Sequence, residues 1–133
     1  AVMVTADHGQ VHVGDSMIDL PAEVTTLLAG QSGEARFRWL HARPGAAMEL
    51  LAAAREDFDD IAWVRSASEV IDAGWLGPVV TPAARGRLGD VAVLAREGVG
   101  FVDPAEVIPI QLIGRHGSLT PDEMLVPALG AVV

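Results

Sequence analysis

The sequence predicts an α/β fold in which a small α/β unit interrupts a larger sheet. Three observations carry that expectation. Val2 to Thr5 is an apolar, β-branched run that opens the chain as a buried strand. Residues 35–103 then alternate strand and helix patterns. Residues 104–133 return with one short capped helix and a last apolar run. The expected division is therefore 1–34, a core strand with a loop after it; 35–103, a cap-like α/β insertion; and 104–133, a return to the core. The competing arrangement is one continuous small α/β domain.

Each element has a local reason. Residues 10–34 read as turn-rich, with a weak helix near Pro21 to Leu28. Ala35 to Ala42 alternates Phe37 and Trp39 with Arg36 and Arg38, the pattern of a half-buried strand. After Arg43-Pro44-Gly45, the residues Ala47, Leu50, Leu51, Ala54 and Phe58 recur at helical spacing and form one apolar face. Glu49, Arg55 and Glu56 fall on the opposite, wet side. Ile61 to Val64 is a second short strand. Ser66 with Glu69 makes a capping box for a helix that stops at Gly74. Val91 to Ala95 and Val99 to Val102 flank Arg96-Glu97-Gly98 as a hairpin. Thr120, Pro121 and Glu123 form a second capping box, and Pro127 keeps that helix short. Leu129 to Val133 reads as a final strand.

Composition narrows the function. The 133 residues suit one domain, and half of them are apolar, which is too hydrophobic for a disordered chain. The formal charge is −9, so a nucleic-acid polymer would meet net repulsion. The acidic balance suits cations but more often serves solubility. All nine basic residues are Arg and there is no Cys, which excludes disulfides and thiolate metal sites. No apolar stretch approaches the roughly 20 residues of a helical membrane span. A chain that opens inside a strand, with no leader pattern before it, reads as part of a longer polypeptide.

Two segments carry candidate chemistry. Thr5-Ala6-Asp7-His8-Gly9 lies at the expected carboxyl end of a parallel strand, the edge where open α/β sheets bind ligands. Adjacent Asp and His converge only once a strand ends and the chain turns, and Gly9 permits that turn. A carboxylate beside an imidazole is a good pair for a borderline metal. The blander reading of either histidine is a solvent-exposed loop residue. His116 sits between glycines, Gly114 and Gly117, just ahead of the capped helix.

Taken together, Val-Thr-Ala-Asp-His-Gly at 4–9 and His-Gly-Ser-Leu-Thr-Pro-Asp-Glu-Met-Leu-Val-Pro at 116–127 resemble the alkaline phosphatase superfamily. The closer resemblance is to the actinobacterial branch related to nucleotide pyrophosphatase/phosphodiesterases. Gly-Trp-Leu-Gly-Pro at 74–78 and Arg-Leu-Gly-Asp-Val at 87–91 also look like that branch. The resemblance implies the C-terminal portion of an alkaline-phosphatase-like sheet with an inserted α/β cap. It implies two zinc ions in one cleft of the intact enzyme, with Asp7 and His8 on one ion and His116 on the other. The remaining ligands and the nucleophilic Thr or Ser are then expected upstream, so no catalytic nucleophile is expected in this chain. The implied substrate is a small phosphoester or nucleotide, and the implied partner is the N-terminal half of the same protein. Phosphomonoesterases, phosphonate hydrolases, sulfatases and metal-dependent phosphomutases share the Asp-His pair and remain open. So does a different class altogether, a stand-alone, non-catalytic α/β domain that binds a ligand or partner.

The geometry expected of the site is specific. Paired metals about 3.5–4 Å apart, with ligand atoms roughly 2 Å from each, put the His116 imidazole about 4–8 Å from the Asp7 and His8 side chains. Other candidates are weaker. His12 reads as a surface residue, and His41 as structural or solvent-facing. Arg36 and Arg38 share a strand face that is expected to be solvated, although they could greet a phosphate from the cap. Trp39, Trp63 and Trp75 read as packing residues.

Overall fold

In the computed structural model, which describes residues 1–106 and 112–132, the chain is mixed α/β. It begins with three short strands, β1 (Val2–Thr5), β2 (Val11–His12) and β3 (Met17–Ile18), followed by the one-turn helix α1 (Ala22–Thr25). Strands β4 (Leu28–Glu34) and β5 (Phe37–Ala42) lead into the main helix α2 (Ala47–Phe58). Next come β6 (Ala62–Ser66), α3 (Ala67–Asp72), α4 (Pro82–Arg85), β7 (Val91–Ala95) and β8 (Gly100–Phe101). The last elements are β9 (Gly114–Arg115), α5 (Pro121–Met124) and β10 (Ala128–Ala131).

The centre is a four-stranded antiparallel sheet in the order β4-β5-β7-β6. Strand β7 explains why Val91-Ala-Val-Leu-Ala95 is apolar without alternation: all five residues are buried. Val91, Val93 and Ala95 face the cluster formed with Leu50, Leu51, Ala54 and Phe58 of α2. Ala92 and Leu94 face the opposite side, against Val70, Phe37, Trp39 and Trp63. Each large apolar side chain so buried contributes roughly 1.5–3 kcal/mol. The face of α2 read from the sequence is the buried one. Helix α3 starts with the expected capping box, in which Ser66 Oγ accepts from Glu69 N at 3.2 Å. It stops where Gly74 takes φ +73°.

Several expectations are corrected. Leu28–Glu34, read as turn-rich, is the seven-residue edge strand β4. Its two glycines and lack of alternation hide it, and pairing with β5 is what makes it a strand. The expected hairpin over 91–102 does not form. Strand β8 instead pairs parallel with β3, and Phe101 N donates to Ala35 O at 2.7 Å. Strand β1 pairs antiparallel with β10, not within a parallel sheet, and all four of its residues are exposed.

The alternation in β5 is also inverted. Arg36 and Arg38 are 0% and 1% exposed, while Phe37 and Trp39 are only half-buried. The reason is hydrogen bonding of the guanidinium donors, complete for Arg36 and nearly so for Arg38. Arg36 donates to the carbonyls of Ala95, Glu97 and Val99 and to both carboxylate oxygens of Glu123. Those bonds occupy all five of its N–H groups, the condition under which a buried charge is tolerated. Arg38 donates to Gly33 O, Phe101 O and Glu106 Oε2. The carbonyls of Glu97 and Val99 are thereby turned toward Arg36, which draws the 96–101 segment beneath β5 and away from a hairpin.

Candidate functional site

Asp7 and His8 lie in the loop between β1 and β2, and His116 directly follows β9. Strands β2 and β9 pair antiparallel, with Val11 opposite Arg115 and His12 opposite Gly114. That two-residue ladder brings the two loops together. The rings of His8 and His116 stack with centroids 3.7 Å apart and planes 17° from parallel. Asp7 Oδ2 lies 3.7 Å from His8 Nε2. The three residues singled out from the sequence therefore share one surface.

The His8 tautomer follows from its partner. Nδ1 lies 2.8 Å from Gly9 O, and a carbonyl can only accept, so Nδ1 carries the proton. In the neutral ring Nε2 is then left with a free lone pair. The Asp7 carboxyl is held below its ordinary range. The main cause is the His8 backbone N–H, which donates to Oδ1 at 3.0 Å; its own backbone N–H and the nearby His8 ring add to this. Asp7 is thus an anion at neutral pH with an exposed side chain, a hard oxygen donor beside a nitrogen donor.

One residue ties both loops to the sheet. Glu123 is 2% exposed, and its carboxylate pairs with Arg36 at 2.8 and 3.0 Å. The same carboxylate accepts from Ser118 N at 2.9 Å, two residues past His116, and from the Thr120 hydroxyl. Its backbone carbonyl accepts from Gly9 N at 2.8 Å, one residue past His8. The capping box expected from Thr120 and Glu123 is therefore not made, because the carboxylate is committed to Arg36 and Ser118. Burial pushes the Glu123 carboxyl up, but the bonds from Arg36, Thr120 and Ser118 outweigh it and hold the group below its ordinary value. A hydrogen bond from Ser118 Oγ to Ala95 O, 2.6 Å long, fastens the His116 loop to β7.

Glycine is required at two points. A Cβ on Gly9 would stand 1.9 Å from Asp122 O. Gly117 has φ +118°, and a Cβ there would meet Glu34 Cβ at 2.8 Å.

The donors suit zinc in kind, but they fall short in number. Among the described residues no group of three or more His, Asp or Glu side chains is arranged to hold an ion. The stack explains part of this. An ion midway between parallel rings would lie well out of both planes, away from the in-plane lone pairs, so one ion cannot use both histidines well.

The other candidates stand apart. His12 is exposed on β2. His41 Nε2, on the inner strand β5, is 2.9 Å from Ser32 Oγ on the edge strand β4. Trp39 and Trp63 pack on the second core cluster, and Trp75 is 37% exposed. A cavity of about 170 Å³ adjoins the site, lined by Gln10, Glu34, Gly114, Arg115 and His116 among others. Glu123 was not legible as a site residue, its one signal being a place where a helix cap is expected, and Arg36 was read only as a weak phosphate contact on a solvated face.

Solved structures similar to this chain include two of one protein from different species. Human ectonucleotide pyrophosphatase/phosphodiesterase 5 superposes with a TM-score of 0.65 at 17% identity, covering 96% of this chain and 32% of that one. The murine protein of the same name gives 0.65 at 16% identity, covering 95% and 32%. The chain thus spans about a third of the length of the structures it matches. No protein-family model matches the sequence, and neither does any curated protein. At this level of identity the similarity establishes a shared fold.

Proposed function

We propose that this chain is part of a two-metal phosphoester hydrolase of the phosphodiesterase or nucleotide pyrophosphatase type. In this reading Asp7 and His8 serve one zinc ion and His116 the other. An upstream segment of the same protein supplies the nucleophile and the remaining ligands. The observation that carries the reading is the stacking of His8 on His116, which joins the two sequence motifs in space. The shared fold with part of a pyrophosphatase/phosphodiesterase chain supports the same class.

When bound, paired zinc ions activate a hydroxyl nucleophile and offset charge on a phosphoryl group. The chain's own residues prepare for this. Gly9 O fixes the His8 tautomer so that Nε2 is free to ligate. The His8 backbone N–H keeps Asp7 ionised. The α/β unit built on the central sheet would stand beside the site as a cap, and a small phosphoester or nucleotide is the proposed substrate. The exposed β1–β10 ribbon is where the upstream body would add its strands.

A second reading, a stand-alone ligand- or partner-binding α/β domain, is favoured by one observation: no closed donor cluster exists among the described residues. One experiment separates the two. The chain is assayed on a chromogenic phosphodiester with zinc, alone and as the C-terminal part of its longest natural open reading frame. The isolated chain should be no faster than zinc in buffer, and the longer protein should turn over. The Asp7→Ala, His8→Ala and His116→Ala variants of the longer protein should not. Failure of the longer protein to hydrolyse any phosphoester, or full activity without His116, would sink the hydrolase reading.

A further inference from the structure

We infer that Glu123 is a positioning residue that sets the spacing of His8 and His116 from a single buried point. The inference rests on the proposed metal site for its functional meaning, but its geometry stands without it. The two histidine loops are short and only half-buried around the rings, and the ladder that joins them has just two residue pairs, so their mutual placement draws on a further reference. Glu123 supplies one through two different groups. Its backbone carbonyl takes Gly9 N, next to His8, at 2.8 Å. Its carboxylate takes Ser118 N, close to His116, at 2.9 Å.

The point itself is rigid. Arg36 binds both carboxylate oxygens and is held in turn by the carbonyls of Ala95, Glu97 and Val99. A planar guanidinium with both oxygens engaged fixes orientation as well as distance. The carboxylate has four donors on two oxygens, from Arg36, Ser118 and Thr120, which leaves it no alternative partner to turn to. The absence of a side chain at Gly9 is what lets that loop reach α5, since a Cβ would collide with Asp122 O. The Arg36–Glu123 pair therefore works as a latch between the central sheet and both ligand loops. Supporting ligands on rigid elements through such contacts is how metal sites hold their geometry.

The test reads the ring stack directly in the full chain. Only four histidines are present, so their ring protons are separable by NMR. In the wild type a ring-to-ring Overhauser contact between His8 and His116 is expected. Glu123→Gln removes the charge that holds Arg36, and Arg36→Lys removes the two-pronged geometry while keeping the charge. Both should lose the ring contact while the amide resonances of β5 and β7 stay in place. Gly9→Ala attacks the other arm without touching the buried pair and should also lose it. Retention of the contact in folded Glu123→Gln or Arg36→Lys protein overturns the inference. If those two variants do not fold, Gly9→Ala decides, and retention there overturns it equally. Zinc titration of the longer natural protein tests the metal reading separately: no shift at His8 or His116 there would remove the metal while leaving the latch standing.

Discussion

Strands β7 and β1 are built from the same kind of residues and meet opposite fates. Val91–Ala95 is buried at every position, and Val2–Thr5 is exposed at every position. Met3 is 71% exposed and Leu129, on its partner strand, 64%. The difference lies in neighbours. Strand β7 has a strand on each side, α2 on one face and α3 with two tryptophans on the other. Strand β1 has only β10, and a lone two-stranded ribbon is marginally stable in water. An apolar, β-branched run makes a strand; what packs on it makes a core. The exposed ribbon is a feature that a larger sheet would cover, in keeping with a fold similar to one third of a longer chain.

The sharpest test of what burial contributes is at the buried pair that ties α5 to the central sheet. Glu123→Ala leaves Arg36 buried and uncompensated, and should lower the unfolding free energy by about 3–5 kcal/mol in urea titrations. Replacing both residues with apolar ones of similar volume should recover much of that loss. A small effect of Glu123→Ala would mean that Arg36 is less buried in solution than 0% exposure indicates.

A core truncation comes next. Leu50→Ala should cost about 2–5 kcal/mol, since Leu50 is fully buried against β7. The matched change in the ribbon, Val4→Ala, should stay within about 0.5 kcal/mol. If Val4→Ala proved as costly as Leu50→Ala, the ribbon would have to be covered, for example by a second copy of the chain. Sedimentation of the wild type at the same concentration would show that copy.

The smallest expected effect is on pH dependence. The Glu123 carboxyl is held below its ordinary value of 4.5 in the folded state. A group whose folded pKa is depressed adds stability above its unfolded pKa and loses that contribution as pH falls through the folded value. Wild-type stability should therefore decline below pH 4.5, with Glu123 as one source. The Glu123→Gln variant should decline less steeply over the same window. Equal slopes for the two proteins would remove Glu123 from the acid response and leave Asp7 and Glu69, both also held low, as its sources.

The sequence by itself determined the features whose causes are local. The apolar face of α2 comes from residues three and four apart, and the start of α3 comes from Ser66 and Glu69 on the same turn. Short motifs also singled out Asp7, His8 and His116, the residues that meet in space. Tertiary structure decided the rest. Alternation in β5 shows that Arg36 and Arg38 share a face, but not that this face is the buried one. That depends on carbonyls from residues 95–101 and on a carboxylate 87 positions away. Glu123 looked like a helix cap because its nearest donors in sequence are at Thr120, yet an approaching guanidinium is a stronger partner than a backbone amide. The meeting of His8 with His116 rests on a two-residue ladder, too short to leave a pattern. Local interactions are encoded by spacing along the chain, whereas these choices were made by charge and hydrogen-bond satisfaction between segments that touch only after folding.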